Sequence, residues 1–148
     1  MPSATLEFHS EADPATLRSR LADPLFVASL VPQVVAVDST SPTTARWTVL
    51  VKLGPISRKS FYDGELLEAT DSSVRFRANG PEATIEGTLG LRAGTPRGTE
   101  VTLTLTMSGQ GPLRSVVDAY LAKRVKTDVE QFASSLERKL APAPSETS

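Results

Sequence analysis

The longest stretch of the chain without proline or glycine, residues 113–140, constrains the fold more than any other feature. It follows Gly111 and Pro112, a pair typical of a loop that leads into a helix. Its apolar residues recur mostly at steps of three and four, which predicts an amphipathic helix. The apolar stripe consists of Leu113, Val116, Val117, Tyr120, Leu121, Val125, Val129, Phe132, Ala133, Leu136 and Leu140. A helix of about 28 residues is roughly 42 Å long, so it needs a broad apolar partner surface elsewhere in the chain.

The composition excludes several classes of protein. The chain has 148 residues, enough for one domain with a substantial core. Its net charge of −1 provides no electrostatic reason to expect a nucleic-acid partner. It has no cysteine and a single histidine, His9, which excludes disulfides, thiolate catalysis and multi-histidine metal sites. No apolar run approaches the ~18 residues of a transmembrane helix, and no secretory signal is present, so we expect a cytoplasmic protein.

The first 31 residues combine one strand pattern with two helix-start signals. Leu6 and Phe8 share one face of an alternating segment, which is typical of a half-buried strand. Asp13 with Pro14, and Asp23 with Pro24, each supply a helix N-cap followed by proline at the first helical position. We therefore predict a strand over residues 4–9 and short helices over residues 15–21 and 25–31.

From Val34 onward, apolar and polar residues alternate in segments separated by short turns. We predict six strands, over residues 34–38, 45–53, 56–69, 74–78, 83–91 and 101–107. Gly64, inside the longest of them, is expected to mark a bulge or bend. Short turns between successive strands predict an antiparallel meander. The fold is then α+β: a curved antiparallel sheet of about six to seven strands around a long C-terminal helix, with two short helices after the first strand. We expect one domain over residues 1–140 and a disordered tail over residues 141–148, which contain two prolines and no apolar periodicity.

This order of elements resembles the helix-grip fold of the START-like (SRPBCC) superfamily, which includes the polyketide cyclase and birch-allergen families. Residues 49–56, with the sequence VLVKLGPI, closely resemble a hairpin of the family formed by the G subunit of carbon monoxide dehydrogenase. Residues 23–32, together with Phe61, Gly64 and the strand segment 65–68, fit the pattern of the same family. The resemblance covers residues 4–140.

The resemblance implies a non-catalytic protein that is accessory to a molybdenum hydroxylase of the carbon monoxide dehydrogenase type. Members of that family are thought to hold a lipid or quinone-like molecule and to help recruit the enzyme to the membrane. For this chain it implies a hydrophobic small-molecule ligand, a molybdenum hydroxylase partner and a peripheral position at the inner face of the membrane. It implies no catalytic residue, cofactor or metal. We expect the apolar hairpin at residues 53–56 to border the cavity entrance or a partner surface.

A cavity is expected between the sheet and the helix because the inward-facing side chains are mostly small or medium in size. Gly87 supplies no side chain at all, and aromatic residues make up only 5% of the chain. An apolar lining with few polar groups is typical of a site for a hydrophobic ligand. The candidate ligand-binding residues are Trp47, Val49, Val51, Tyr62, Phe76, Ile85, Leu89, Leu103, Leu105, Met107, Val117, Tyr120 and Leu121. The alternative, in which these side chains close into a dry core, remains open.

Few polar side chains are placed for chemistry. The hydroxyl of Tyr120, within the apolar stripe, is expected either to bond a ligand or to contact water at the cavity mouth. Tyr62 is a second candidate, whereas His9 lies on the strand face opposite Leu6 and Phe8, which favours the surface. This scarcity favours a binding protein over a START-like cyclase or dehydratase. A docking protein without a ligand is the third alternative.

Overall fold

The computed structural model describes residues 2–53, 55–94, 97–112 and 114–140, so the predicted tail and Gly54 of the hairpin lie outside the described residues. Within these ranges the chain forms seven strands and three helices. The elements are β1 (Ser3–Ser10), α1 (Pro14–Leu21), α2 (Pro24–Ala28), β2 (Val34–Ser41), β3 (Thr44–Leu53), β4 (Ile56–Ala69), β5 (Ser73–Asn79), β6 (Ala83–Ala93), β7 (Thr99–Gly109) and α3 (Arg114–Leu140). This confirms the predicted α+β helix-grip fold.

The seven strands form one antiparallel sheet in the order β1-β7-β6-β5-β4-β3-β2. Strands β2 to β7 are a meander, while β1 pairs with the last strand, where Leu6 lies opposite Leu103. The alternation in β7 buries Val101, Leu103 and Leu105 and leaves the intervening threonines more exposed. Helix α3 packs against β7 and β1, so the helix and the inner face of the sheet bury each other's apolar side chains.

The two Asp-Pro signals cap α1 and α2 as predicted. Asp13 accepts a hydrogen bond from the Thr16 amide at 2.7 Å, and Asp23 accepts one from the Leu25 amide at 2.9 Å. Helix α2 ends at Ala28, three residues earlier than predicted. Beyond that point the backbone amides of Leu30 and Val31 bond to carbonyls three residues back, which makes a tighter turn than an α-helix.

The apolar stripe of α3 is confirmed from Val117 onward, whereas Leu113 lies outside the described residues. Val117, Val125 and Val129 are buried against the sheet, whereas Val116 is 58% exposed. Successive residues of a helix point about 100° apart, since 3.6 residues complete a turn, so Val116 and Val117 cannot both face the sheet. None of the described helices combines the length and apolar character required to cross a bilayer.

A bulge or bend was predicted at Gly64, but the register of β4 contains no bulge there. Gly64 pairs in regular register with Ala45 on one side and Ala78 on the other. The irregularity falls instead between Leu66 and Glu68. Gly64 has a different reason to lack a side chain, because a neighbouring aromatic ring lies over it, as described below.

Candidate functional site

A cavity of about 120 Å³ lies between α3 and the inner face of the sheet. Strands β3 to β7 contribute most of the wall, and the rest comes from α3 and from residues 30–34, which lead from α2 into the start of β2. Ten of the predicted ligand-binding residues line this cavity: Trp47, Val49, Val51, Tyr62, Phe76, Ile85, Leu105, Met107, Tyr120 and Leu121. The other three, Leu89, Leu103 and Val117, are buried but are not part of the lining. Leu89 and Leu103 face each other across β6 and β7, within the closed part of the core.

Several lining residues are absent from the sequence-based set. They are residues 30–34 together with Leu50, Lys52, Ala83, Arg124, Asp128 and Phe132. A signal for those on α3 was present, because Tyr120, Arg124, Asp128 and Phe132 follow one another at steps of four and therefore share one line along the helix. The segment before β2 has no periodic pattern, so its position on the wall depends on tertiary contacts.

Three aromatic rings of the lining each lie over a glycine, two of them in strands and the third in the turn between β5 and β6. A Cβ atom on Gly64 would come within 2.6 Å of Trp47 Nε1, and one on Gly80 within 2.5 Å of the Tyr62 ring. A Cβ atom on Gly87 would overlap the ring of Phe76, its direct partner across β5 and β6. The prediction that Gly87 opens the cavity is therefore wrong, because Phe76 occupies the space above it. The glycines instead allow the rings to lie close to the sheet.

A buried carboxylate, that of Glu82, is hydrogen-bonded to the Tyr62 hydroxyl. Glu82, in the turn between β5 and β6, has a side chain only 7% exposed. Its Oε2 accepts hydrogen bonds from Arg58 Nε at 2.9 Å and Ser60 Oγ at 2.6 Å, and Arg58 Nη2 contacts the same oxygen. Its Oε1 accepts a hydrogen bond from the Tyr62 hydroxyl at 3.1 Å. Pattern analysis missed Glu82, because a glutamate in a turn carries no sign of burial.

The pKa values of this cluster follow from its hydrogen bonds. Burial opposes ionisation of Glu82, but the bonds from Ser60, Arg58 and Tyr62 outweigh it and hold the pKa below its usual value. The pKa of Tyr62 is raised far above its usual value, first by burial and then by the charge of Glu82. Glu82 is therefore ionised at neutral pH, and the Tyr62 hydroxyl donates its hydrogen to the Glu82 carboxylate.

A second polar group, which we call the polar corner, consists of Tyr120, Arg124 and Asp128 on α3. Arg124 Nη1 donates to the Tyr120 hydroxyl oxygen at 3.2 Å, and the guanidinium carbon lies 5.6 Å from the centre of the Tyr120 ring. Arg124 Nη2 lies 3.5 Å from Asp128 Oδ1, a long contact for an ion pair. Tyr120 lies on the cavity wall, and its hydroxyl oxygen accepts a hydrogen bond from Arg124.

The two charged members of the polar corner respond differently to burial. The Asp128 side chain is 13% exposed and the Arg124 side chain 37% exposed. Burial raises the pKa of Asp128, and Arg124 together with the side chain of Gln33 offsets only part of that rise. For Arg124, burial disfavours the charge, but Asp128 and Tyr120 outweigh it, so its pKa is raised and it remains a cation. The positive member of the pair is thus the more firmly ionised.

The comparison with protein families identifies the chain's relatives. Residues 1–141 match the family described as polyketide cyclase / dehydrase and lipid transport. The chain belongs to this family. That assignment agrees with the resemblance to the START-like superfamily. The family description names both enzymes and lipid transport, so it leaves the activity of an individual member open. No curated protein matches the chain significantly.

Solved structures share the fold across nearly the whole chain. A conserved protein from Geobacillus kaustophilus is 14% identical, with a TM-score of 0.74 over 94% of this chain and 93% of its own. A START superfamily protein from Mycobacterium smegmatis is 14% identical, with a TM-score of 0.71 over 93% and 96%. The Zhui aromatase/cyclase from Streptomyces sp. R1128 is 14% identical, with a TM-score of 0.58 over 94% and 96%. At these identities the similarity establishes the fold.

Proposed function

We propose that the chain binds a hydrophobic small molecule, either a lipid or a quinone-like compound, in the cavity beneath α3 and catalyses no reaction on it. The observation that carries this proposal is the cavity itself, whose wall is formed mainly by aliphatic and aromatic side chains. A concave apolar site with a few convergent polar groups is the usual form of a site for a small apolar ligand. The family's description, which includes lipid transport, supports the same function.

The size of the cavity limits how much of a ligand it holds. Its volume of about 120 Å³ is close to the ~150 Å³ of an engineered apolar cavity that binds benzene. It is smaller than the roughly 300–1,000 Å³ typical of sites for drug-sized ligands. The cavity therefore accommodates one ring or a short chain, and a longer molecule would extend through the mouth or displace lining side chains.

A cyclase or dehydratase is the second candidate. The observation that favours an enzyme is the position of Tyr62, which lines the cavity and whose hydroxyl is hydrogen-bonded to the carboxylate of Glu82. A general acid must offer its proton to the substrate, but Tyr62 donates its hydrogen to Glu82. Glu82 in turn accepts from Arg58, Ser60 and Tyr62. Because these groups satisfy one another, the arrangement favours a structural role over proton transfer.

Native mass spectrometry of the gently purified protein tests the proposal. We expect a co-purifying hydrophobic molecule at a stoichiometry near one, which reappears chemically unchanged after prolonged incubation with the protein. Titration of the emptied protein with a menaquinone analogue should change the fluorescence of Trp47, the only tryptophan in the chain and part of the lining. Conversion of the bound molecule would support the enzyme, and the absence of any lipid or quinone ligand would support the docking protein.

The partner that we propose is a molybdenum hydroxylase of the carbon monoxide dehydrogenase type, with the complex peripheral at the inner face of the membrane. The support is the resemblance of residues 49–56 to the hairpin of that enzyme's accessory family. Val51 and Lys52, which belong to this segment, line the cavity. The side chains of Leu53 and Ile56 lie outside the described residues.

Affinity purification of the tagged chain from its own cells tests the partner. We expect molybdenum hydroxylase polypeptides among the proteins recovered with the wild type and their loss with Ile56→Glu. Arg92→Glu, an exposed change on β6, serves as the control for surface charge. Equal recovery with wild type and Ile56→Glu would show that the hairpin does not bind the hydroxylase.

A further inference from the structure

The polar corner interrupts a cavity wall that is otherwise mainly apolar. Arg124 both lines the cavity and keeps 37% of its side chain exposed to solvent. A side chain that contacts the cavity and the solvent at the same time lies at the mouth. A ligand in the cavity would therefore have its apolar part among the sheet residues and its outer end beside Arg124.

The hydrogen-bonding groups of the polar corner have an excess of donors. A guanidinium carries five N–H donors, and those of Arg124 have two acceptors on α3, the Tyr120 hydroxyl at 3.2 Å and Asp128 Oδ1 at 3.5 Å. The Tyr120 hydroxyl accepts from Arg124, so its own hydrogen can be donated to a group in the cavity. A ligand that complements this corner must bring hydrogen-bond acceptors.

The charges of the lining point the same way. Lys52 and Arg124 are the basic residues of the lining and Asp128 the acidic one, which leaves one net positive charge. A ligand with a single negative charge would balance the site, whereas a neutral ligand would leave Arg124 partly desolvated without full compensation.

We propose that the ligand is an apolar monocarboxylic acid, whose carboxylate is bound by Arg124 and Tyr120 at the cavity mouth. A carboxylate matches the planar fork of a guanidinium through two parallel hydrogen bonds, and the Tyr120 hydroxyl adds a third donor. The cavity then holds the first part of the hydrocarbon, in keeping with its volume. This inference rests on the proposed binding function and specifies the chemical class of the ligand.

Three probes of equal chain length separate the head group from the hydrocarbon: octanoate, 1-octanol and octylamine. Each is titrated into wild-type protein by isothermal titration calorimetry at pH 8 and low salt. We expect octanoate to bind at least about tenfold more tightly than 1-octanol, since a charge-assisted hydrogen bond is about twice as strong as a neutral one. Octylamine should bind most weakly. Added salt should weaken octanoate binding and leave 1-octanol binding nearly unchanged.

Variants of the polar corner identify the groups responsible. Arg124→Gln should lose octanoate affinity, so that the preference for octanoate over 1-octanol falls to about twofold or less, and continued binding of 1-octanol would show that the cavity is intact. Arg124→Lys should recover part of the preference, because it retains the charge without the fork. Asp128→Asn should strengthen octanoate binding by removing a competing negative charge. The control is Lys123→Gln, which removes an adjacent exposed cation outside the lining and should keep the wild-type preference.

The possible results distinguish this inference from the proposed function. If 1-octanol binds as tightly as octanoate, or if Arg124→Gln weakens both probes equally, the carboxylate assignment is overturned while the hydrophobic site remains. Tighter binding of octylamine would assign the head group to Asp128 instead. If neither the three probes nor a menaquinone analogue binds, the proposed function fails as well.

Discussion

Glu82 is the most deeply buried carboxylate among the described residues, and its contacts join the turn between β5 and β6 to β4. Its oxygens accept hydrogen bonds from Arg58, Ser60 and Tyr62. We expect Glu82→Gln to lower the free energy of unfolding by about 1–3 kcal/mol, because an amide replaces the charged acceptor and leaves donors poorly paired. Urea unfolding at pH 7 measures this change. Glu86→Gln, an exposed substitution on β6, is the control and should stay within about 0.5 kcal/mol of wild type.

The effect of Glu82→Gln should also depend on pH. The folded pKa of Glu82 lies below its unfolded value of about 4.5. A carboxylate of this kind contributes stability in full above its unfolded pKa and loses it as the pH falls through the folded pKa. The difference between wild type and Glu82→Gln should therefore be constant from pH 6 to 8 and shrink below pH 4.5. A difference that persists unchanged in acid would show that the ionised form of Glu82 is not what stabilises the fold.

His9, which joins β1 to its neighbours, offers a second pH-dependent contact. Its Nδ1 lies 2.6 Å from Glu100 Oε2 and its Nε2 lies 3.0 Å from Glu11 Oε2. The hydrogen bond to Glu100 is the main reason why the pKa of His9 is raised above 6.5. The resulting stability is complete below pH 6.5 and is lost as the pH rises through the folded pKa.

Proton NMR can follow this titration directly, because His9 is the only histidine of the chain. We expect its midpoint to lie above pH 6.5 in the wild type and to fall in Glu100→Gln. Glu68→Gln, on β4, removes a carboxylate far along the sheet from His9 and should leave the midpoint unchanged. A wild-type midpoint at or below 6.5 would show that the two carboxylates do not hold the imidazolium in solution.

At the scale of the elements, the pairing of aromatic rings with glycines controls the inner surface of the sheet. Phe76 on β5 lies over Gly87 on β6 and stacks against Phe132 of α3, with ring centroids 5.8 Å apart. In Gly87→Ala the new methyl group would force Phe76 toward Phe132. We expect a loss of about 1–3 kcal/mol in the free energy of unfolding, typical of overpacking. Ligand affinity should fall too, because both rings line the cavity.

Gly90→Ala provides the matched control on the same strand. The nearest atoms to a Cβ at Gly90 are those of Thr102, at 3.8 Å and beyond, which is ordinary van der Waals contact. Gly87→Ala and Gly90→Ala should therefore have different midpoints of denaturant unfolding. The free energy of unfolding of Gly90→Ala should lie within about 1 kcal/mol of the wild-type value. Similar stabilities for the two variants would mean that Phe76 can move without cost and that Gly87 has no packing role.

The order of elements could be predicted because each element has a clear signal. The step of three and four defined α3, and the Asp-Pro pairs defined α1 and α2. Alternation defined the strands and placed Trp47, Val49 and Val51 on the inner face, where they line the cavity. A glycine in a strand has no such signal. The absence of a side chain at Gly64 or Gly87 fits a bulge, a gap or an overlying ring equally well. Which of the three is present depends on the side chains of the neighbouring strand.

Across the whole molecule, the same limit applies to the polar part of the site. Hydrophobic periodicity identifies residues that avoid water, so it cannot identify Glu82, whose burial depends on donors from another strand. Arg124 and Asp128 are charged residues outside the apolar stripe of α3, and yet both line the cavity. The apolar wall was thus predictable from local pattern, whereas its polar groups required the assembled fold.

The cavity as a whole can be tested by filling it. Leu105 on β7 is 4% exposed and lines the cavity, so Leu105→Trp should occupy the ligand's space. We expect calorimetric titration with the menaquinone analogue or octanoate to show no binding, while circular dichroism shows a folded protein destabilised by about 1–3 kcal/mol. The control is Thr102→Trp, which places the same side chain at an exposed position of the same strand and should bind the ligand as wild type does. In both proteins, ligand binding should show a negative heat-capacity change, because apolar surface is buried. Saturable binding that Leu105→Trp leaves intact would place the ligand outside this cavity, because the new indole and the ligand cannot share a volume of about 120 Å³.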